Sequence, residues 1–111
     1  MGGLKTRIEG NYLVIYLAGQ MDVRMASESE AVLTKLAAEH KDKNILLNLK
    51  EVDSFSSSGL RVLVSLQRIL RETNRRLKLC HLSPSVRKVF EIIDLLSMFE
   101  IYDSEEKAAA D

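Results

Sequence analysis

Five consecutive residues, Ile45-Leu46-Leu47-Asn48-Leu49, restrict the fold more than any others. They lie between the polar stretch Lys41 to Asn44 and the charged pair Lys50-Glu51. A helix needs roughly 10 residues to develop a face, so a run this short and this apolar reads as a buried strand ending at Lys50. A strand of that kind is stable only within a sheet, and the rest of the chain must supply its neighbours.

The neighbours are legible on both sides. Leu4 to Glu9 and Tyr12 to Leu17 are β-prone runs joined by Gly10-Asn11, a hairpin-turn signal. Gly19-Gln20-Met21-Asp22 breaks the pattern, and a helix is expected from about Ala26 to His40. Ser27 and Glu30 have the spacing of a capping box there, and Ala31, Val32, Leu36 and Ala37 share one face. After the central strand, Leu60, Val62, Leu63, Val64, Leu66, Ile69 and Leu70 mark a helix running to about Asn74, with so little polar surface that it must be largely buried. Leu77 to Leu82 alternates as a strand. Ser83-Pro84 then opens a helix, serine as N-cap and proline at the first helical position, with Val86, Val89, Phe90 and Ile93 facing inward. Phe99 to Tyr102 is a short last strand, and Asp103-Ser104-Glu105-Glu106 caps a terminal helix with acids in its first turn.

The order is β-β-α-β-α-β-α-β-α. Strands joined by helices imply parallel neighbours. The expectation is a single α/β domain over residues 1–111, a mixed sheet of four or five strands packed by about four helices.

Charge narrows the function. Sixteen Lys plus Arg balance sixteen Asp plus Glu, so no net field draws the chain to nucleic acid or an anionic membrane. A protein partner or a small ligand is the expected object. The apolar runs are far shorter than the roughly 20 residues of a membrane span, and Met-Gly-Gly-Leu-Lys carries no apolar leader, so the cytoplasm is expected. Cys80, the single cysteine, fits a reducing compartment. Cys80 and His81 with distant His40 lack a third ligand, so no metal or cofactor is expected, and the pair reads as a strand with one face in the core.

Ser56-Ser57-Ser58-Gly59 stands between the central strand and the apolar helix, which begins near Ser57 or Ser58. In open α/β sheets, ligands and reactive groups collect at such strand-to-helix loops. Serines here suit an N-cap, an acyl-transfer nucleophile, an anion cradle or a modification site. A nucleophile needs a base, and neither the G-x-S-x-G elbow nor a neighbouring histidine is present. The phosphate loop G-x-x-x-x-G-K-S/T is absent, and Glu51 and Asp53 have no catalytic spacing, so no enzyme constellation emerges. Helix capping and an exposed, modifiable serine both stand.

The strand Ile45 to Leu49, then Val52-Asp53, then Ser56-Ser57-Ser58-Gly59-Leu60, resembles the STAS domain of bacterial anti-sigma factor antagonists, where an apolar strand leads to D-S-S-G-L or a close variant and an apolar helix. Gly19-Gln20-Met21-Asp22 matches the family's G-x-L/I-D, and the opening hairpin and the closing Phe99 to Ser104 extend the resemblance over nearly the whole chain. It implies a non-enzymatic regulator that sequesters a partner, both anti-sigma factor and serine kinase, and is released when that partner phosphorylates a serine. A phosphatase reverses the step. Ser57 aligns with the acceptor, and Ser54, Ser56 and Ser58 are rivals. Gly19 and Asp22 would belong to the neighbouring loop, Asn48 to the strand end beneath the site, and Asp53, Ser56, Ser58, Gly59, Leu60 and Arg61 to its surroundings. The sequence departs in one place: Ser56 stands where the family most often has Asp.

The implied partner surface combines this loop, the first turns of the apolar helix, and an exposed Met21, Val23 and Met25, with Arg24, Lys50 and Arg61 steering an acidic partner. Arg61 lies four residues beyond Ser57, within reach of a phosphate there. The alternative within the same fold is an unswitched scaffold or accessory subunit of a stress-signalling or transport assembly, in which the serines only cap the helix.

Overall fold

The computed structural model describes residues 4–92 and 94–110. These form a five-stranded sheet in the order β1-β2-β3-β4-β5, made of β1 (Lys5–Glu9), β2 (Tyr12–Met21), β3 (Asn44–Phe55), β4 (Leu77–Cys80) and β5 (Glu100–Tyr102). β1 and β2 are an antiparallel hairpin turning through Gly10 at φ +56°. All later neighbours are parallel, joined by α1 (Val23–Glu39), α2 (Ser57–Arg71) and α3 (Pro84–Ile92). A short 3-10 turn, Leu96–Met98, precedes β5, and α4 (Glu105–Ala110) follows it. The expected mixed sheet and element order are therefore found, with five strands. Ile93, expected to face inward, lies outside the described residues.

The period-2 alternation of the strands sorts their side chains onto two faces. Leu13, Ile15 and Leu17 of β2, Ile45, Leu47 and Leu49 of β3, and Leu77 and Leu79 of β4 join the core with α1, α2 and α3. From α2 that core takes Leu60, Val62, Leu63, Leu66 and Leu70, so its expected burial is observed. Burying one such leucine contributes about 1.5–3 kcal/mol. Tyr12, Val14, Leu46 and Cys80 point to the opposite face, where Ala108 of α4 covers them.

Several boundaries differ from the sequence expectation. β2 runs on to Met21 and β3 to Phe55, because two register shifts in their pairing let both strands continue past the polar residues that looked like their ends. Gly19, at φ +91°, sits at one of these shifts, in a conformation that L side chains rarely adopt. α1 begins at Val23, not Ala26, and its N-cap is Asp22, whose Oδ1 accepts from the Met25 N–H at 2.9 Å. Ser27 and Glu30 are therefore inside the helix. Its buried face is Ala26, Ser29, Leu33 and Ala37, while Ala31 is exposed. Met21, expected at the surface, is only 3% exposed. β4 stops at Cys80, since His81 turns the chain at φ +58°. All four β4 residues are buried, not one face alone. Ser83 caps α3 as expected, its Oγ accepting from the Val86 N–H at 3.4 Å.

The α4 face adds polar contacts to its small apolar cluster. Lys78 is fully buried there, its amino group donating to the Ala108 carbonyl at 2.6 Å and lying 4.8 and 4.9 Å from the Tyr12 and Tyr102 ring centres. Glu105, at the other end of α4, accepts from Arg7 at 2.5 Å and from Asn48 at 2.6 Å. Burial alone pushes the Glu105 carboxyl up, but hydrogen bonds from Arg7, Asn48 and Tyr16 outweigh it and hold it below the ordinary glutamate range. Burial also pushes the Cys80 thiol up to about 12, so it stays protonated and unreactive at neutral pH.

A depressed carboxyl stabilises the fold above its unfolded pKa of about 4.3, and that contribution fades as pH falls through the lower folded value. Glu105→Gln should therefore lose stability against wild type at pH 7, and the difference should narrow between about pH 5 and pH 3. Urea denaturation of both proteins across that range measures it; a constant difference would contradict this account of α4.

Candidate functional site

β2 and β3 are parallel neighbours, so their carboxyl ends arrive together, with Met21 opposite Phe55. α1 and α2 both start within two residues of those ends. Ser56 makes the junction. Its backbone N–H donates to the Met21 carbonyl at 2.9 Å, its hydroxyl donates to the same carbonyl at 2.8 Å, and its Oγ accepts from the Gly59 N–H at 3.2 Å. Ser56 is thus the N-cap of α2, in extended conformation at φ −85° and ψ 170°. The sequence places the start of this helix near Ser57 or Ser58, and it begins at Ser57.

This capping accounts for the departure at position 56. Serine and aspartate are both among the preferred N-caps, so either satisfies the Gly59 amide. Only the hydroxyl can also donate to Met21.

Gly59 is fixed by contact. A Cβ built there would lie 2.4 Å from Met21 Cγ and 2.8 Å from Phe55 Cδ1, so α2 reaches the strand ends only because residue 59 has no side chain. Leu60 turns into the core at 7% exposure. Ser57, the first residue of α2, is exposed, and Ser58 is half-buried. The first amides of a helix lack intrahelical partners. With Gly59 capped and the Leu60 N–H donating to the Ser56 carbonyl at 3.0 Å, those of Ser57 and Ser58 are the ones an anion can reach.

A shallow groove runs between α1 and α2, lined among others by Val23, Glu30, Ser58 and Arg61. Val23 is 69% exposed, a large apolar side chain beside the serines. Arg61 is exposed and makes no hydrogen bond or ion pair within the described residues. Gly19, Asp22, Ser56, Ser57, Ser58, Gly59 and Arg61 are therefore gathered at one edge. Ser54 is exposed nearby on β3, opposite Gln20. Asp53 is exposed one residue earlier, its carbonyl accepting from Ser85 Oγ at 2.8 Å, which ties it to the start of α3. Asn48 is elsewhere: its side chain binds Glu105 and the Lys50 N–H, on the α4 face of the sheet. Among the described residues, no group of three or more His, Cys, Asp or Glu is placed to hold a metal, and no helix is long and apolar enough to cross a membrane.

Sequence reasoning put Met21 on the exposed partner surface, whereas its carbonyl accepts from Ser56 and its buried side chain packs beneath the junction. A signal was present: Asp22 is as good a cap as any serine, and placing it at the helix start would have made Met21 the last residue of its strand.

The carboxyl ends of two neighbouring parallel strands, with Ser57 and Val23 exposed on the helix starts that follow them, form one surface of an α/β domain. The chain belongs to the STAS domain family, whose sequence profile matches residues 4–108. It is 38% identical over 104 residues to the candidate anti-sigma factor antagonist BtrV of Bordetella bronchiseptica, covering 94% of this chain and 88% of that protein. The fold is similar to that of a candidate anti-sigma factor antagonist from Thermotoga maritima, with a TM-score of 0.85 at 19% identity over 95% of this chain and 90% of that one. It is also similar to the phosphorylated form of the Bacillus cell fate determinant SpoIIAA, with a TM-score of 0.68 at 24% identity over 96% of each chain.

Gly59→Ala sets the close approach of α2 against a small gain in helix propensity, and overpacking of about 1–3 kcal/mol should win. Removing the cap with Ser56→Ala should cost about 1 kcal/mol. Both should lower the urea midpoint with an unchanged slope; a Gly59→Ala protein as stable as wild type would show that the edge is not closely packed.

Proposed function

We propose that this chain is an anti-sigma factor antagonist, a single regulatory domain acting in the cytoplasm. Unphosphorylated, it sequesters an anti-sigma factor that is also a serine kinase; phosphorylation of Ser57 releases it, and a serine phosphatase restores it. The observation that carries this reading is the exposed position of Ser57 as the first residue of α2, in a STAS family member. BtrV is named for the antagonist role, and SpoIIAA is described in a phosphorylated form.

The rivals are less suited. The Ser56 hydroxyl is engaged twice in the cap, and phosphorylating it would forfeit the bond it donates to Met21. Ser58 is half-buried against α1. Ser54 is exposed but sits on a strand, without a helix start behind it. In the transfer step, the Ser57 oxygen bonds to the terminal phosphorus of ATP, the bridging P–O bond breaks, ADP leaves, and the hydroxyl proton passes to a base of the kinase.

A phosphoryl group adds about −1.5 to −2 charges. The start of α2 accommodates it, because free amides and the dipole favour an anion there, so the fold should change little. The partner bears the effect: a surface fitted to a neutral serine beside Val23 would meet a charge it must desolvate or repel. Arg61, on the same helix edge, is the cation within this chain best placed to answer that charge.

The test pairs Ser57→Ala and Ser57→Asp with the cognate anti-sigma kinase. Ser57→Ala should bind like wild type and take no phosphate, while Ser57→Asp should bind at least about tenfold more weakly, roughly 1.4 kcal/mol. Mass spectrometry of the wild type after incubation with ATP should place one phosphate on Ser57. Equal binding by all three proteins would instead favour the unswitched scaffold.

A further inference from the structure

The sheet ends in two edges of different character. β5 is three residues long and half-buried, with α4 following it. β1 is five residues long, and every one of them is exposed. Glu9 pairs with Tyr12 across a two-residue turn, so Glu9, Arg7 and Lys5 turn their backbone groups to β2, while the amides and carbonyls of Thr6 and Ile8 point away from the sheet. Ile8 lies opposite Leu13, on the helix side of the sheet, yet its side chain is 59% exposed.

An edge strand of this kind is a template for another strand, and proteins commonly blunt it with charge. The charges of β1 do not blunt it evenly. Lys5, Arg7 and Glu9 project on the α4 face, opposite Tyr16, Val14 and Tyr12. A second copy of this chain can meet β1 antiparallel about a two-fold axis, and the alternation of side chains then sets one residue of β1 against its own copy. Centred on Lys5, Arg7 or Glu9, the pairing opposes a charge to itself; centred on Thr6, it opposes Lys5 to Arg7. Like charges directly opposite are destabilising, so these four registers are disfavoured. Centred on Ile8, the pairing opposes each Arg7 to Glu9 of the second copy and covers one Ile8 with the other, and both outward Ile8 amides find a carbonyl. Arg7 is already held in place by Glu105 and by Glu9 of its own chain, each at 2.5 Å, so little order is lost when a second carboxylate approaches.

We propose that two copies of this chain associate through β1, antiparallel about Ile8, joining their sheets into one. Each copy brings one such edge, so the assembly closes as a dimer. A five-residue strand from each copy makes an interface smaller than the roughly 1,200 Å² of stable complexes, so the dimer is weak and depends on concentration. Ser57 follows β3, two strands in from this edge. The contact therefore leaves the serine edge of both copies open, and it holds whether or not Ser57 takes a phosphate.

Sedimentation equilibrium of the full chain from about 10 µM to about 1 mM should show a reversible monomer–dimer equilibrium, with a dissociation constant of about 0.1–1 mM. Ile8→Lys and Ile8→Glu each put like charges on the axis and should weaken the dimer at least tenfold. Mixed in equal amounts, the two variants should recover it as a heterodimer with opposite charges there, which also shows that both are folded. In the wild type, the Ile8 amide should exchange with solvent more slowly at high concentration than at low. The proposal is overturned by a wild type that stays monomeric throughout that range or forms species larger than a dimer, by an Ile8→Lys protein that dimerises as wild type does, or by a mixture no more associated than its components.

Discussion

One carbonyl organises the functional edge of this protein. Met21 ends β2, and its oxygen receives both the backbone amide and the hydroxyl of Ser56 from the end of β3. Parallel pairing forces the two strand ends together, and the helices that follow must then begin side by side with their positive ends toward the same solvent. Such a junction is crowded. It closes only because Gly59 lets α2 come within van der Waals range of Met21 and Phe55, and because Asp22, immediately after Met21, caps α1 in turn. The exposure of Ser57 and Val23 is a consequence: each is the first residue of a helix whose start is held from below.

The far side of the sheet is held differently. α4 is six residues long, too short to be stable by itself, and it contributes one fully buried side chain, Ala108. Its attachment is polar at both ends, Glu105 to Arg7 and Asn48, and the Ala108 carbonyl to Lys78. Lys78 keeps its aliphatic stem in the core and its amino group between two tyrosine rings, so a lysine occupies a central strand without an unpaired amino group. The three-helix face depends on apolar area; this face depends on geometry.

That division explains what was legible in the sequence. Strand and helix order, the hairpin, the burial of α2 and the Ser83 cap follow from local periodicity and turn chemistry, which single segments carry in themselves. What was misjudged depended on pairing. β2 and β3 looked finished at Leu17 and Lys50, because register shifts that carry a strand through polar residues have no local signature. The S-x-x-E spacing of Ser27 and Glu30 looked like a cap because that spacing also arises by chance inside helices, whereas Asp22 was read as part of a break. Asn48 was assigned to the serine site by resemblance, yet alternation along β3 turns it toward α4, where it binds Glu105. The serine edge itself was legible as a segment but not as a junction, since Met21 acts there from 35 residues away.

Serine in place of aspartate at position 56 also changes the electrostatics of the edge. Neither α1 nor α2 has an acid in its first turn, so the two helix starts share a single carboxylate, that of Asp22. An aspartate cap on α2 would already answer the positive end of that helix and would stand one residue from Ser57. With serine there, the start of α2 carries no formal charge, and a phosphate on Ser57 would be the first anion placed on it. The dipole and the free amides would then stabilise the phosphate undiminished, and the change seen by a partner would run from neutral to about two negative charges instead of adding to an existing one. Capping with a hydroxyl therefore does more than conserve the fold: it sharpens the difference between the two states that the edge is proposed to present.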